Sequence, residues 1–135
     1  MTKPLSIILC SEEHEKIQMA AMTAAIAAVS EREVSIFVSM GAVFSFCLES
    51  PKGHRFSGGT FSELMLEKNA PDALDLLKQG KEFGKLSLYV CSMALDITGI
   101  DEGALIPDLF DEVIGLTKFL ADSEAVSYTH LRAHE

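Results

Sequence analysis

The chain reads as an α/β domain, a three-layer α/β/α arrangement around a mainly parallel sheet. Three observations carry this. Leu5–Leu9, Val34–Ser39 and Lys85–Val90 are short runs of strand length, rich in aliphatic and β-branched residues. The first is continuous and the third passes from alternating to continuous, the pattern of strands covered on both faces. Helical patterns separate them, and strand, helix, strand, helices, strand is the order that pairs strands in parallel with helices as crossovers.

Taken in order, Leu5–Leu9 ends at Cys10 and Ser11. Ser11 is a candidate N-cap and Glu12, Glu13 and Glu15 enrich the turn that follows, so a helix is expected from about Glu12 to Val29. From Met19 to Val29 that helix is apolar nearly all round, broken only by Thr23, which fits a helix packed on the sheet and on a second surface. A subunit interface and the interior of one domain are both open for that surface. After Val34–Ser39, Ala42–Leu48 has a helical look and is too apolar for an exposed loop. Ser50–Thr60, SPKGHRFSGGT, is a loop with three of the nine glycines. There His54 and Arg55 either approach an anion or belong to a solvated connector. Phe61–Glu67 and Pro71–Gln79 are expected helices, with Pro71 at a first helical position and Gly80 past the end. The chain from Ile100 to Asp111 is irregular, and the short apolar run after it reads either as one helix over Leu109–Ala121 or as a strand followed by a helix.

At 135 residues the chain fits one domain. Lys and Arg total 11 against 20 Asp and Glu, a net charge of -9 without a basic run, which disfavours a nucleic-acid partner. A hydrophobic fraction of 48% and mean hydropathy of +0.24 leave more apolar surface than one small core hides, so self-association is expected. The longest uncharged windows, Ile17–Ser30 and Val34–Leu48, are shorter than the ~18 residues of a spanning helix, so no membrane segment is expected. The first residues lack the cleavage site of a signal peptide. Three cysteines without paired spacing point to free thiols in a reducing cytoplasm.

Cys91 is the residue on which chemistry centres. It falls where the third strand stops, and Ser92–Ile97 has no breaker until Gly99, so a short helix starts at or just after it. Unpaired N–H groups at a helix start favour the thiolate, which is the nucleophile. The plainer alternative is a small core residue capping a strand. Cys10 also falls at a strand's carboxyl end. In a parallel sheet both sulfurs face one edge, where α/β sheets gather their ligands, and a redox or relay pair is conceivable. Other chemistries are poorly supported. There is no C-x-x-C or His-Cys cluster for zinc, no G-x-G-x-x-G or G-x-x-x-x-G-K-[ST] for a nucleotide, and no cofactor is implied. Cysteine hydrolase chemistry would need a base, for which His14 and His54 are candidates only by elimination.

The run Tyr89-Val90-Cys91-Ser92-Met93-Ala94-Leu95-Asp96, with Gly99-Ile100 and Ala104-Leu105-Ile106 after it, resembles the strand, cysteine and helix segment of the DsrE/DsrF-like proteins, often labelled peroxiredoxin-like. The resemblance extends to Leu5–Leu9, to Val34–Gly41 and to Val113–Ala125. It implies a fourth strand within Phe110–Gly115, a helix over Leu116–Asp122 and a fifth strand near Glu124–Thr129, hence a sheet of about five strands. It implies that Cys91 carries sulfur as a persulfide between donor and acceptor proteins, in a homotrimer or hexamer. A non-catalytic oligomeric scaffold or regulatory subunit of the same fold is the alternative, and thiol peroxidase rests on the label alone. The last residues, Ser127-Tyr128-Thr129-His130-Leu131-Arg132-Ala133-His134-Glu135, resemble a translated sequencing-adapter tail. The domain is therefore expected to span 1–126, and the i, i+4 pair His130 and His134 is not read as a metal site.

Overall fold

The computed structural model describes residues 3–49, 55–122 and the backbone of 127–130. Five strands form one sheet in the order β4-β3-β2-β1-β5. They are β1 (Leu5–Leu9), β2 (Glu33–Val38), β3 (Lys85–Cys91), β4 (Glu112–Ile114) and β5 (Ser127–His130), and every described pairing is parallel. The helices are α1 (His14–Val29), α2 (Thr60–Glu67), α3 (Ala73–Phe83), α4 (Ser92–Thr98) and α5 (Leu116–Asp122). This is the alternating α/β topology that the strand pattern predicts.

Register sorts the side chains into two faces. Leu5, Ile7 and Leu9 stand level with Val34, Ile36 and Val38, and these with Leu86, Leu88 and Val90, so one set of buried aliphatics crosses three strands. The α1 and α3 helices cover this sheet from one side. On the other side Phe119 of α5 stacks on Phe37 of β2 at 5.0 Å and meets Tyr89 of β3 edge-on at 6.2 Å. Helix α1 can lie close because its inner face is alanine: Ala20, Ala21, Ala24 and Ala28 are buried. Its outer face is Met19, Met22, Ile26 and Val29, all exposed. The nearly continuous apolar circumference is thus two faces with different work.

Four expectations shift in position. Helix α1 starts at His14, with Glu13 rather than Ser11 as its N-cap. Glu13 is held extended by a bridge to Ser57, while Ser11 Oγ accepts the Glu13 N–H at 3.1 Å. Residues Met40–Phe46 form a 3-10 segment rather than an α-helix. It runs into an antiparallel contact in which Leu48 N–H donates to Ala104 O at 2.7 Å and Ile106 N–H to Phe46 O at 2.9 Å. Helix α3 is capped by Asp72, whose carboxylate accepts the Asp75 N–H at 3.2 Å, so Pro71 lies before it. Gly80 lies inside α3, not past its end, because the helix packs there on β3 so tightly that a Cβ would fall 2.7 Å from Leu86 Cδ2.

The ambiguous run resolves into β4 and α5. Asp111 pins the chain extended along β3, donating its N–H to Leu88 O and accepting Leu88 N–H and Lys81 Nζ on Oδ2, all within 2.8 Å. The fifth strand lies on the first four residues of the adapter-like tail, level with Leu5 to Ile8.

Gly84 joins α3 to β3 against the end of α1, where a Cβ would stand 2.6 Å from the backbone carbon and oxygen of Ala28. Backbone cannot rotate aside as a side chain does. Gly84→Ala is therefore expected to lower stability by about 1–3 kcal/mol in urea unfolding, and a loss below about 0.5 kcal/mol would contradict this packing.

Candidate functional site

Parallel register brings three side-chain positions to one level at the sheet's carboxyl edge. Leu9 pairs with Val38 and Val38 with Val90, so the next residues, Cys10, Ser39 and Cys91, end adjacent strands together. Ser39 N–H donates to Leu9 O at 2.9 Å, which holds β2 against β1 at this point. Cys91 is the last residue of β3, level with Ile114 of β4. It is also the N-cap of α4, with extended backbone at φ -72 and ψ 120 and no side-chain cap bond. Its surface is 3% exposed.

Ser39 stands between the two cysteines. Two strand spacings of ~4.8 Å put their Cα atoms roughly 10 Å apart, beyond the ~7 Å that a disulfide spans. Cys10 and Cys91 thus share an edge, but a bond between them requires backbone movement. Cys10 is partly exposed, whereas Cys47 is buried and its Sγ donates to Val43 O at 3.5 Å. Burial pushes the Cys47 thiol above its ordinary value, partly offset by the Arg55 charge. Beside the Cys91 edge lies an apolar cavity of about 360 Å³ between the 3-10 segment and α4, lined by Met40, Phe44, Ala94 and Ile97 among others. Met40 holds a left-handed backbone there, φ 51.

The loop residues divide. Arg55 Nη1 donates to Ser45 O at 2.9 Å and Cys47 O at 2.7 Å, clipping the 3-10 segment to the loop. His54 lies outside the described residues.

His14 takes a part that no spacing announced. Its Nδ1 is 2.5 Å from Ser62 Oγ, its ring stacks on Phe56 at 4.5 Å, and its backbone N–H donates to Ser57 O at 2.7 Å. Ser57 N–H returns a bond to Glu12 O at 3.0 Å. A Cβ on Gly58 would collide with Ser62, so glycine is what lets α2 close on this clasp. His14 and Ser62 are 48 positions apart, a separation without a local signature. Among the described residues no group of three or more His, Cys, Asp or Glu is placed to hold a metal ion, and no helix is long and apolar enough to cross a membrane.

The profile of the DsrE/DsrF-like family matches residues 4–127, so the chain belongs to that family, with its sulfur-relay association. No curated protein matches it. A solved protein of unknown function from Methanobacterium thermoautotrophicum is similar in fold, with a TM-score of 0.65 at 13% identity over 96% of this chain and 99% of that one.

Burial pushes the His14 imidazole below its ordinary value of 6.5, against the opposing carboxylates of Asp72 and Glu15. The unfolded chain then takes up this proton at higher pH than the folded one. The stability His14 contributes is present above pH 6.5 and is lost as pH falls through the lower folded value. Urea midpoints should drop over that range more steeply for the wild type than for His14→Gln, and parallel pH profiles would show that the clasp carries no such linkage.

Proposed function

We propose that the chain handles sulfur through Cys91 as a one-cysteine persulfide carrier or sulfurtransferase. What supports this is the place of Cys91, closing a central strand at the sheet's carboxyl edge inside the family-matched segment. The Cys91 thiolate attacks the outer sulfur of a donor persulfide. The donor S–S bond breaks as the new one to Cys91 forms, the donor leaves as a thiol, and nothing is oxidised overall. Attack by an acceptor thiolate on the outer sulfur reverses the step. No cofactor enters, and the setting is a reducing cytoplasm. Cys10, roughly two strand spacings away, is not a direct resolving partner without movement.

One observation favours a second reading. A cysteine only 3% exposed must be uncovered before it reacts, and a permanently sealed Cys91 suits an oligomeric scaffold of the same fold. Homo-oligomers, a trimer or hexamer as in the resemblance, are proposed to form through the outer, C-terminal half of α1, where Ile26 and Val29 are 63% and 57% exposed. The tail from 127 onward is proposed to be non-native.

Incubation with a persulfide donor is expected to add one sulfur atom to Cys91 by mass spectrometry. Cys91→Ser should abolish loading, Cys10→Ser should leave it intact, and Cys47 should stay unmodified. Loading on Cys10 or Cys47 instead would remove Cys91 from the role, and no loading from any donor would favour the scaffold. For assembly, light scattering at micromolar concentration should give a multiple of 14.7 kDa that Ile26→Lys reduces. A wild-type monomer would remove the interface.

A further inference from the structure

The seam between α1 and α2 holds two adjoining cavities that play no part at the carboxyl edge. The smaller, about 200 Å³, has His14, Gln18, Phe56, Asn69 and Asp72 in its wall. The larger, about 430 Å³, has Glu15, Met19, Met22 and Phe61. Gln18, Met65, Ala70 and Pro71 belong to both walls, so the two are lobes of one groove.

Two polar side chains in this wall, His14 and Gln18, are each only 5% exposed. Each has one polar atom engaged and one left over. Gln18 Nε2 donates to Pro71 O at 2.9 Å, and no described residue bonds its Oε1. His14 Nδ1 is taken by Ser62, which is outside the cavity wall, so Nε2 is the ring nitrogen left for a ligand there. It too has no bond from a described residue. Neither atom is sealed from solvent, so both are open to a ligand in the cavity, and two such acceptors on one lobe mark a head-group position.

Charge narrows the ligand. Each lobe has one carboxylate in its wall, Asp72 in the smaller and Glu15 in the larger, and neither has a Lys or Arg. Apart from Glu15 and Gln18 the larger lobe is apolar and deformable, with three thioether side chains beside the ring of Phe61. Such a wall accepts alkyl or aryl bodies, and its aromatic face tolerates a cation nearby.

We infer that this groove binds an amphipathic organic cation, its ammonium head among His14, Gln18 and Asp72 and its apolar body among Met19, Met22, Phe61 and Met65. The head donates to Gln18 Oε1 and to His14 Nε2, while Nδ1–H donates to Ser62 Oγ. A carboxylate of the same shape meets two like charges and no donor cation.

The test is a titration of methyl-labelled methionine, read by NMR, with phenethylammonium, with the matching anion phenylpropionate and with neutral phenylpropanol. Saturable shifts are expected at Met19, Met22 and Met65 but not at Met93, with the cation bound at least about tenfold tighter than the anion. Asp72→Asn keeps a capping side chain for α3 and should bring cation affinity close to that of the neutral alcohol. Cys91→Ser should titrate like the wild type, which separates this site from the sulfur chemistry. Equal binding of cation and anion would overturn the inference. So would the absence of saturable shifts, or shifts that vanish as the chain self-associates, which would assign the groove to a second copy.

Discussion

Everything at the candidate site depends on parallel register. Because β1, β2 and β3 pair in register, their last residues are delivered to one level without any loop having to place them. That register is in turn held by burial on both faces. A slip by one residue would turn Ile7, Ile36 and Leu88 out of the α1–α3 layer and into the position of Phe37 and Tyr89. The alanine face of α1 and the bare backbone at Gly84 are what let the covering helix approach closely enough to enforce this.

The same register limits the chemistry. Ser39 occupies the intervening strand end, so the two edge cysteines are neighbours by fold and strangers by bond length. A single-sulfur cycle needs no second thiol, and Cys91 has the position for it. Its cover is the opposing fact. A shielded sulfur keeps a bound sulfane away from solution thiols, since exchange rates depend on access as well as on thiolate content. On the proposed sulfur-handling reading, turnover requires a local opening, and α4, seven residues ending at a left-handed Gly99, is a short element with few bonds to lose.

Much of this was legible in the sequence. The three central strands and α1 stood out because continuous β-branched runs and a long alanine-rich pattern have few competing structures. The place of Cys91 between a strand end and a short helix was legible as well. What escaped had long-range causes. Asp111 converts a helix-compatible run into β4 by bonding Leu88, 23 residues away. Gly80 reads as a helix stop but serves as a packing gap against Leu86. Arg55 was open between an anion contact and a solvated connector, and its Nη1 instead bonds the carbonyls of Ser45 and Cys47. His14 meets Ser62 only after α2 folds back over α1.

Access to Cys91 is the question on which the sulfur-handling and scaffold readings part. The rate of iodoacetamide labelling at Cys91, followed by mass spectrometry over low urea concentrations and set against Cys47, tests it most directly. If Cys91 acts, it labels faster than Cys47 and its rate changes little with urea below the unfolding transition, as expected of a local opening. Labelling of Cys91 no faster than Cys47, and only as the whole chain unfolds, would contradict a working nucleophile.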